Sequence, residues 1–321
     1  MSDTIRNFRK KIEKDFAKNT IVTEHRSTEF YSTGVLSIDM ALGGGWVKGR
    51  IVSLSGWESS GKTTVAILSA IEVQKTGRPV VYIDHECAFD QDYAVDLGLD
   101  MSPEMFILLQ PSDAEDGVEL VREAIKVPEI GMIILDSVAS MTPRVMMEAE
   151  AGDQKMGVLA RLLSTWLKVL VKPLEENGCT LLLLNQFREK IGVMYGNPVT
   201  LPGGNAIKFF TSQMAEITKA GQEKDGDDVL AQKTRFKVTK NKVAPPFKKA
   251  EFLIRFGTGV DKEQDVLDVI VNSKFFEKRG SWVYYNDEKV GQGAASVPGW
   301  LEQHPDEYKK ILDELLGRNT K

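Results

Sequence analysis

The chain has 321 residues, of which 42% are hydrophobic and 27% charged, enough apolar mass for one large core and a smaller appendage. A formal charge of −5 excludes a globally basic body, so any nucleic-acid site must be a local stripe. No apolar run approaches the roughly 20 residues of a membrane span, and the basic start MSDTIRNFRKKIEKDFAK leads into no apolar stretch, so an unexported cytoplasmic chain is expected.

Residues 3–18 read as a short basic amphipathic helix with Ile5, Phe8, Ile12 and Phe16 on one side, a face too small to fold alone. From 51 to about 186, apolar runs alternate with helical patterns. The runs are IVSLS (51–55), VVYID (80–84), MIILDS (132–137) and TLLLLNQ (180–186); TTVAILSAIEVQKTG and LARLLSTWLKVLVKPLEEN carry the helical spacing, the second stopping at Gly178. This is the sequence form of an α/β fold, a mostly parallel sheet flanked by helices and buried on both faces. TRFKVTKNK (234–242) and AEFLIRF (250–256) alternate like half-exposed strands and predict an antiparallel extension. Beyond about 259 the pattern becomes a helix (EQDVLDVIVN), a hairpin around Asn286 and Asp287, and a closing helix from Pro305 to Gly317, a small α+β unit. The expected division is 1–24, 25–258 and 259–321, with no internal repeat. Cys87 and Cys179 have no metal-ligand spacing and read as reduced structural thiols.

GWESSGKTT (56–64) follows a strand and opens a helix. That places Gly56, Glu58, Ser59, Ser60, Gly61, Lys62, Thr63 and Thr64 in a phosphate loop whose backbone N–H groups face a nucleotide. Lys62 reaches the terminal phosphates and the Thr63 hydroxyl holds Mg²⁺. Asp136, ending MIILDS, has the form of the second metal-fixing group, and ATP with Mg²⁺ is the expected cofactor pair. Hydrolysis also needs a group to activate water, and Glu86, two residues past VVYID, is the candidate because neighbouring strand ends converge on one crevice. From spacing alone a solvated loop carboxylate is an equally good reading of Glu86. His85 is the other base in reach, and is set second because no partner orients it.

GWESSGKTT, YIDHECAFDQDYA (82–94), LLLLNQFREKIGVMYGNPVTLPGGNA (181–206) and KVTKNKVAPPFKKAEF (237–252) together resemble the bacterial and phage RecA recombinase family, in order and spacing, over nearly the whole chain. The resemblance implies a RecA-like P-loop ATPase core. It implies that Glu86 activates the water, that Gln186 senses the γ-phosphate, and that Asp90 and Tyr93 hold the adenine. It further implies that Lys240 and Lys242 reach the neighbouring subunit's ATP. Two loops, about 147–156 and 187–202, correspond to the family's DNA-binding loops. Arg188, Lys190 and Lys208, with the backbone of Gly192, Gly203 and Gly204, can meet phosphates, while Met156, Ile191, Val193 and Met194 can wedge against bases without reading them. Arg161, Asn197 and Asn205 complete the expected DNA contacts.

By the same resemblance, the N-terminal helix is a polymerisation element. The C-terminal unit gathers duplex DNA, with Lys274, Lys278, Arg279 and Lys289 as contacts or merely solvated lysines and arginine. The implied activity is DNA-dependent ATP hydrolysis coupled to strand exchange in a helical homo-oligomer on single-stranded DNA. A hexameric helicase-type ring and a non-catalytic DNA scaffold are the alternatives. The chain departs from the family at Trp57, where proline is usual, at Cys87, Phe89 and Pro202, and in stopping at LDELLGRNTK instead of a long acidic tail. Regulation by such a tail and repressor cleavage are therefore not carried over, and a phage-encoded member fits.

Overall fold

The structure, a computed structural model, describes residues 3–16, 21, 27–148, 157–189 and 199–315. Its centre is a sheet of nine strands among the described residues: β1 (Ile51–Gly56), β2 (Val80–Asp84), β3 (Phe106–Leu109), β4 (Met132–Asp136), β5 (Thr180–Gln186), β6 (Gln213–Asp225), β7 (Asp228–Asn241), β8 (Lys249–Arg255) and β9 (Gly259–Val260). They lie in the order β9-β8-β7-β6-β1-β5-β4-β2-β3. The six from β6 to β3 are mutually parallel, and β6 through β9 run antiparallel to one another. All four expected parallel strands are present, and β1, β2 and β4 are buried along their whole length, as continuous apolar runs between two helical layers require. The antiparallel extension is also present. It is longer than the alternation suggested, because β6 and β7 form a hairpin turning at Gly226 and Asp227 whose tip, residues 222–230, is mostly exposed.

The helices in sequence are α1 (Asp3–Asp15), α2 (Leu36–Leu42), α3 (Lys62–Gln74), α4 (Gln91–Asp96), α5 (Ala114–Ile125), α6 (Val158–Asn177) and α7 (Gly204–Phe210), of which α2, α3, α5 and α6 cover the sheet. α3 and α6 fall where the spacing predicts them, and α6 ends on Gly178 with φ of 63°. That left-handed turn exposes few atoms to steric cost in glycine and lets its N–H cap the Leu174 carbonyl. One core cluster forms on each face of the sheet, the first with α2 and α3, the second with α5 and α6. None of the residues of α1 is buried, and Ile5 and Phe8 remain more than half exposed.

A third apolar cluster lies beyond residue 265. There the helices Lys262–Val271, Val297–Gln303 and Pro305–Leu315 pack around a three-stranded antiparallel sheet, Phe276–Arg279, Trp282–Tyr285 and Glu288–Gln292. The expected hairpin turns at Asn286 and Asp287, both at positive φ, a geometry that asparagine and aspartate tolerate better than most residues. Both cysteines are free. No helix among the described residues is long and apolar enough to cross a membrane.

Asp39 in α2 is a testable feature of this packing. Its carboxylate accepts hydrogen bonds from Ser32 Oγ at 2.6 Å and from the Thr33 N–H at 2.8 Å. Burial nevertheless pushes its pKa up to about 6, above the unfolded value of 3.8, with those two bonds opposing and Glu72 adding to the rise. Since the folded state holds this proton more tightly, the associated stability is present below about 3.8 and is lost as pH rises through 6. Asp39→Asn is therefore expected to flatten the fall of Tm between pH 4 and 6.5, the term at stake being roughly 3 kcal/mol. Unfolding curves across that range check it, and an unchanged slope contradicts it.

Candidate nucleotide and DNA site

β1 delivers the phosphate loop at its C-terminal end. Ser59 at φ 51° and Gly61 at φ 96° turn the chain so that α3 begins at Lys62, with its first N–H groups open toward the loop. A Cβ on Gly56 would stand 2.4 Å from the Ile217 carbonyl, so close approach of backbone requires that glycine, while Gly61 is required by its left-handed φ, with Ile254 Cδ1 also 2.4 Å from where its Cβ would lie. Lys62 Nζ donates to the Trp57 carbonyl at 2.8 Å and lies 3.4 Å from that of Gly56. Burial pulls this ammonium down from its usual range, while Asp136, Glu86 and Glu58 hold it up.

Asp136 ends β4 beside Thr63. Its Oδ2 accepts from Thr63 Oγ1 at 3.2 Å and from the buried Tyr82 hydroxyl at 2.6 Å. Burial raises its pKa to about 6, with the Tyr82 hydrogen bond opposing and the Glu86 charge adding. Tyr82 in turn packs against Phe89 and Phe106, ring centroids 4.5 and 6.2 Å away, which gives the departure at Phe89 a packing role. No group of three or more His, Cys, Asp or Glu side chains is placed to hold a metal ion among the described residues. One hydroxyl and one carboxylate oxygen instead suit Mg²⁺, which keeps several waters and takes few protein ligands beside phosphate.

Glu86 is the hub of the site. Its Oε1 accepts from Gln186 Nε2 at 2.6 Å, from Ser137 Oγ at 2.5 Å and from Ser140 Oγ at 3.1 Å. The two carrying loops are fixed from beneath. Buried Asp84 accepts from the backbone N–H groups of Glu86 and Phe89 and from Gln110 Nε2, at 3.0, 3.1 and 3.1 Å. Buried Asn185 accepts from the Gln186 N–H at 2.9 Å and donates to the Pro202 carbonyl at 3.0 Å, tying together the two ends of the 187–202 segment. Ser137, Ser140, Asp84, Tyr82 and Asn185 were not singled out from the sequence. Their signal was position, since each stands at or just past the C-terminal end of a parallel strand, or within it at the crevice.

His85 takes a different place. Its ring lies against α5, where a Cβ on Gly117 would approach Nε2 to 2.2 Å, and burial lowers its pKa against the pull of Asp84 and Asp113. Gly117→Ala must push this ring, and the neighbouring Glu86, out of place. A loss of about 1–3 kcal/mol in stability, together with slower ATP turnover, is expected from denaturant unfolding and hydrolysis assays; wild-type values in both would contradict the packing argument.

Asp90 caps α4, accepting from the Tyr93 N–H at 2.9 Å, and the Tyr93 hydroxyl meets Thr64 Oγ1 at 3.2 Å. Tyr93 and residues 59–64 line a cleft of about 300 Å³ shared with Gln232, Ile254, Arg255, Phe256 and Gly257 of the antiparallel extension. No motif in the sequence brings that wall to the site.

Lys240 and Lys242 stand apart from this crevice. Lys240 pairs with Met214, and Met214 with Ser53, which lies three residues before Gly56 on β1. Lys240 Nζ donates to the Lys208 carbonyl of α7, and burial, then the Lys242 charge, lowers its pKa.

Of the expected DNA contacts, Arg188 sits on the short strand that pairs with Val199–Thr200 and donates to the Ala139 carbonyl at 3.1 Å. Arg161 is exposed on α6, and Asn205 and Lys208 on α7. Gly203 and Gly204 open α7 at φ 89° and 65°, left-handed values that favour glycine, and a Cβ on Gly203 would also crowd the ends of Ile207 and Leu163 at 2.8 Å. Met156, Lys190, Ile191, Gly192, Val193, Met194 and Asn197 lie outside the described residues.

Comparison with known proteins matches the RecA N-terminal domain to residues 3–261 and the RecA C-terminal domain to residues 264–318. The chain belongs to the RecA family. Protein RecA of Clostridium novyi is 44% identical over 314 residues, 96% of this chain and 89% of that one. Protein RecA of Staphylococcus carnosus is 42% identical over 312 residues, 96% and 87%. Among solved structures, that of the RadB recombinase superposes with a TM-score of 0.55 at 23% identity, covering 72% of this chain and 98% of that one, a likeness of fold. As a RecA-family member the chain is a recombinase and a DNA-dependent, nucleotide-binding ATPase, and the ring-helicase alternative is set aside on the family match.

Proposed function

We propose that this RecA-family chain binds ATP with Mg²⁺ between adjacent subunits, closes a helical filament around single-stranded DNA, and exchanges strands with a homologous duplex. The observation that carries the reading is the bond from Gln186 Nε2 to Glu86 Oε1. It joins the group placed to activate water to the strand end from which the 187–202 segment departs. Lys62 and the loop N–H groups bind phosphates, Thr63 and Asp136 hold Mg²⁺, and Tyr93 with Asp90 flanks the adenine. The bound Mg²⁺ supplies charge neutralisation at the β- and γ-phosphates. Glu86, oriented by Ser137, Ser140 and Gln186, accepts the proton of the attacking water.

In this reading residues 1–24 carry the polymerisation helix, whose exposed Ile5 and Phe8 need a partner surface. Residues 25–258 form the ATPase core, and 259–321 gather duplex DNA. In that last unit Lys289 lies over the Trp282 ring, a cationic-aromatic pair suited to phosphate and base, while Arg279, over Tyr284, is ion-paired with Glu277 and Asp287. A cytoplasmic location follows from work on chromosomal or phage DNA.

Electron microscopy with long single-stranded DNA, Mg²⁺ and a slowly hydrolysed ATP analogue tests the proposal. Regular extended filaments only with nucleotide are expected. Closed rings, or no DNA-bound assembly, would overturn it.

A further inference from the structure

Trp57 leaves the phosphate loop partly exposed, and its ring meets that of Phe187 edge to face, with centroids 5.5 Å apart and planes at 64°. The two residues sit at matched positions. Gly56 pairs with Gln186 across β1 and β5, the Phe187 N–H donates to the Gly56 carbonyl at 3.2 Å, and each aromatic is the next residue along. Lys62 donates to the Trp57 carbonyl, and Gln186 to Glu86, so the contact is bracketed by the phosphate-binding group on one side and the water-activating group on the other. A phosphate-binding turn works through its backbone and does not itself require a large side chain at this point.

We propose that the Trp57–Phe187 contact is a positioning pair that holds Gln186 on Glu86 and transmits the state of the phosphate loop to the start of the 187–202 segment. A change in how Lys62 and the loop carbonyls are engaged shifts the Trp57 backbone. The packed rings carry that shift to Phe187, whose own backbone is already bonded to Gly56. The inference rests on the recombinase reading above, because the transmitted signal is DNA stimulation of hydrolysis.

The test compares ATP hydrolysis with and without poly(dT) in wild type, Trp57→Ala, Phe187→Ala, the double variant, and the ring-retaining Trp57→Phe and Phe187→Tyr. Edge-to-face pairs are worth enough to change a rate about threefold to tenfold. Each alanine variant is expected to lose poly(dT) stimulation by about that factor while KM for ATP moves less than about twofold. The double variant should lose no more than the weaker single, and the ring-retaining variants should keep the stimulation. In addition, the Trp57 emission, taken as wild type minus Trp57→Phe, should change when a slowly hydrolysed ATP analogue binds. Losses that multiply in the double variant, full stimulation in Phe187→Ala, or loss in the ring-retaining variants would overturn the pair. A wild type unstimulated by poly(dT) would instead overturn the recombinase reading beneath it.

Discussion

Glu86→Gln is expected to bind ATP and single-stranded DNA as the wild type does while its turnover falls by about two to four orders of magnitude, the usual worth of a positioned general base. Geometry makes the substitution clean. Glutamine keeps a carbonyl oxygen to accept from Ser137, Ser140 and Gln186, so the loop between β2 and α4 has no reason to move; what is lost is the charge that takes a proton. Asp84, which anchors the backbone of Glu86 and Phe89, is untouched. The measurement is a pair of assays on one preparation, nucleotide-dependent DNA binding and steady-state hydrolysis. Lost binding would make Glu86 a structural group, and normal turnover would pass the role of base to another residue. His85 is a poor substitute, since its ring is held against Gly117.

The strands that position this chemistry were legible because a parallel sheet covered on both faces demands unbroken apolar runs, and β1, β2, β4 and β5 are such runs. Phe106–Leu109 escaped notice because an edge strand is only partly buried and four residues carry little periodicity. β6 escaped for a different reason: beyond Ile217 its residues are mostly polar or charged, and its strand character comes from pairing with β7. In the site, Lys62, Thr63 and Asp136 could be named because phosphate and metal chemistry restricts residue type and spacing, whereas Glu86 needed the family resemblance to lift it above a solvated carboxylate. Ser137, Ser140 and Asn185 could not, because their roles depend on three strand ends meeting, which is a tertiary fact. The Gln232–Gly257 wall of the nucleotide cleft is of the same kind, since it is folded back over α3 by the antiparallel extension. Gly203 carries a second constraint that only the fold reveals: its φ of 89° at the start of α7 favours glycine whatever its backbone N–H meets.

Replacing both Lys240 and Lys242 by alanine is expected to reduce DNA-dependent hydrolysis by about 10³- to 10⁵-fold, the range for cationic groups that complete a phosphoryl-transfer site from a neighbour. Within their own chain these side chains lie away from the phosphate loop. Lys240 is level with Ser53, about 10 Å back along the strand direction from Gly56, and two strands to the side. Phosphates lie beyond Gly56 in the other direction, so Lys240 at mid-strand and Lys242 toward the start of β1 lie away from the loop their own subunit presents. A mixing experiment decides whether they act in trans. Glu86→Gln subunits keep the lysines and lack the base, whereas the double-lysine variant keeps the base and lacks the lysines, so neither turns over alone. In a head-to-tail filament of equal parts, about a quarter of the interfaces join a Glu86-bearing subunit to a lysine-bearing one, and hydrolysis should return toward that fraction of wild type. Activity no greater than the sum of the separate variants would place the lysines outside the site, or in the site of their own subunit.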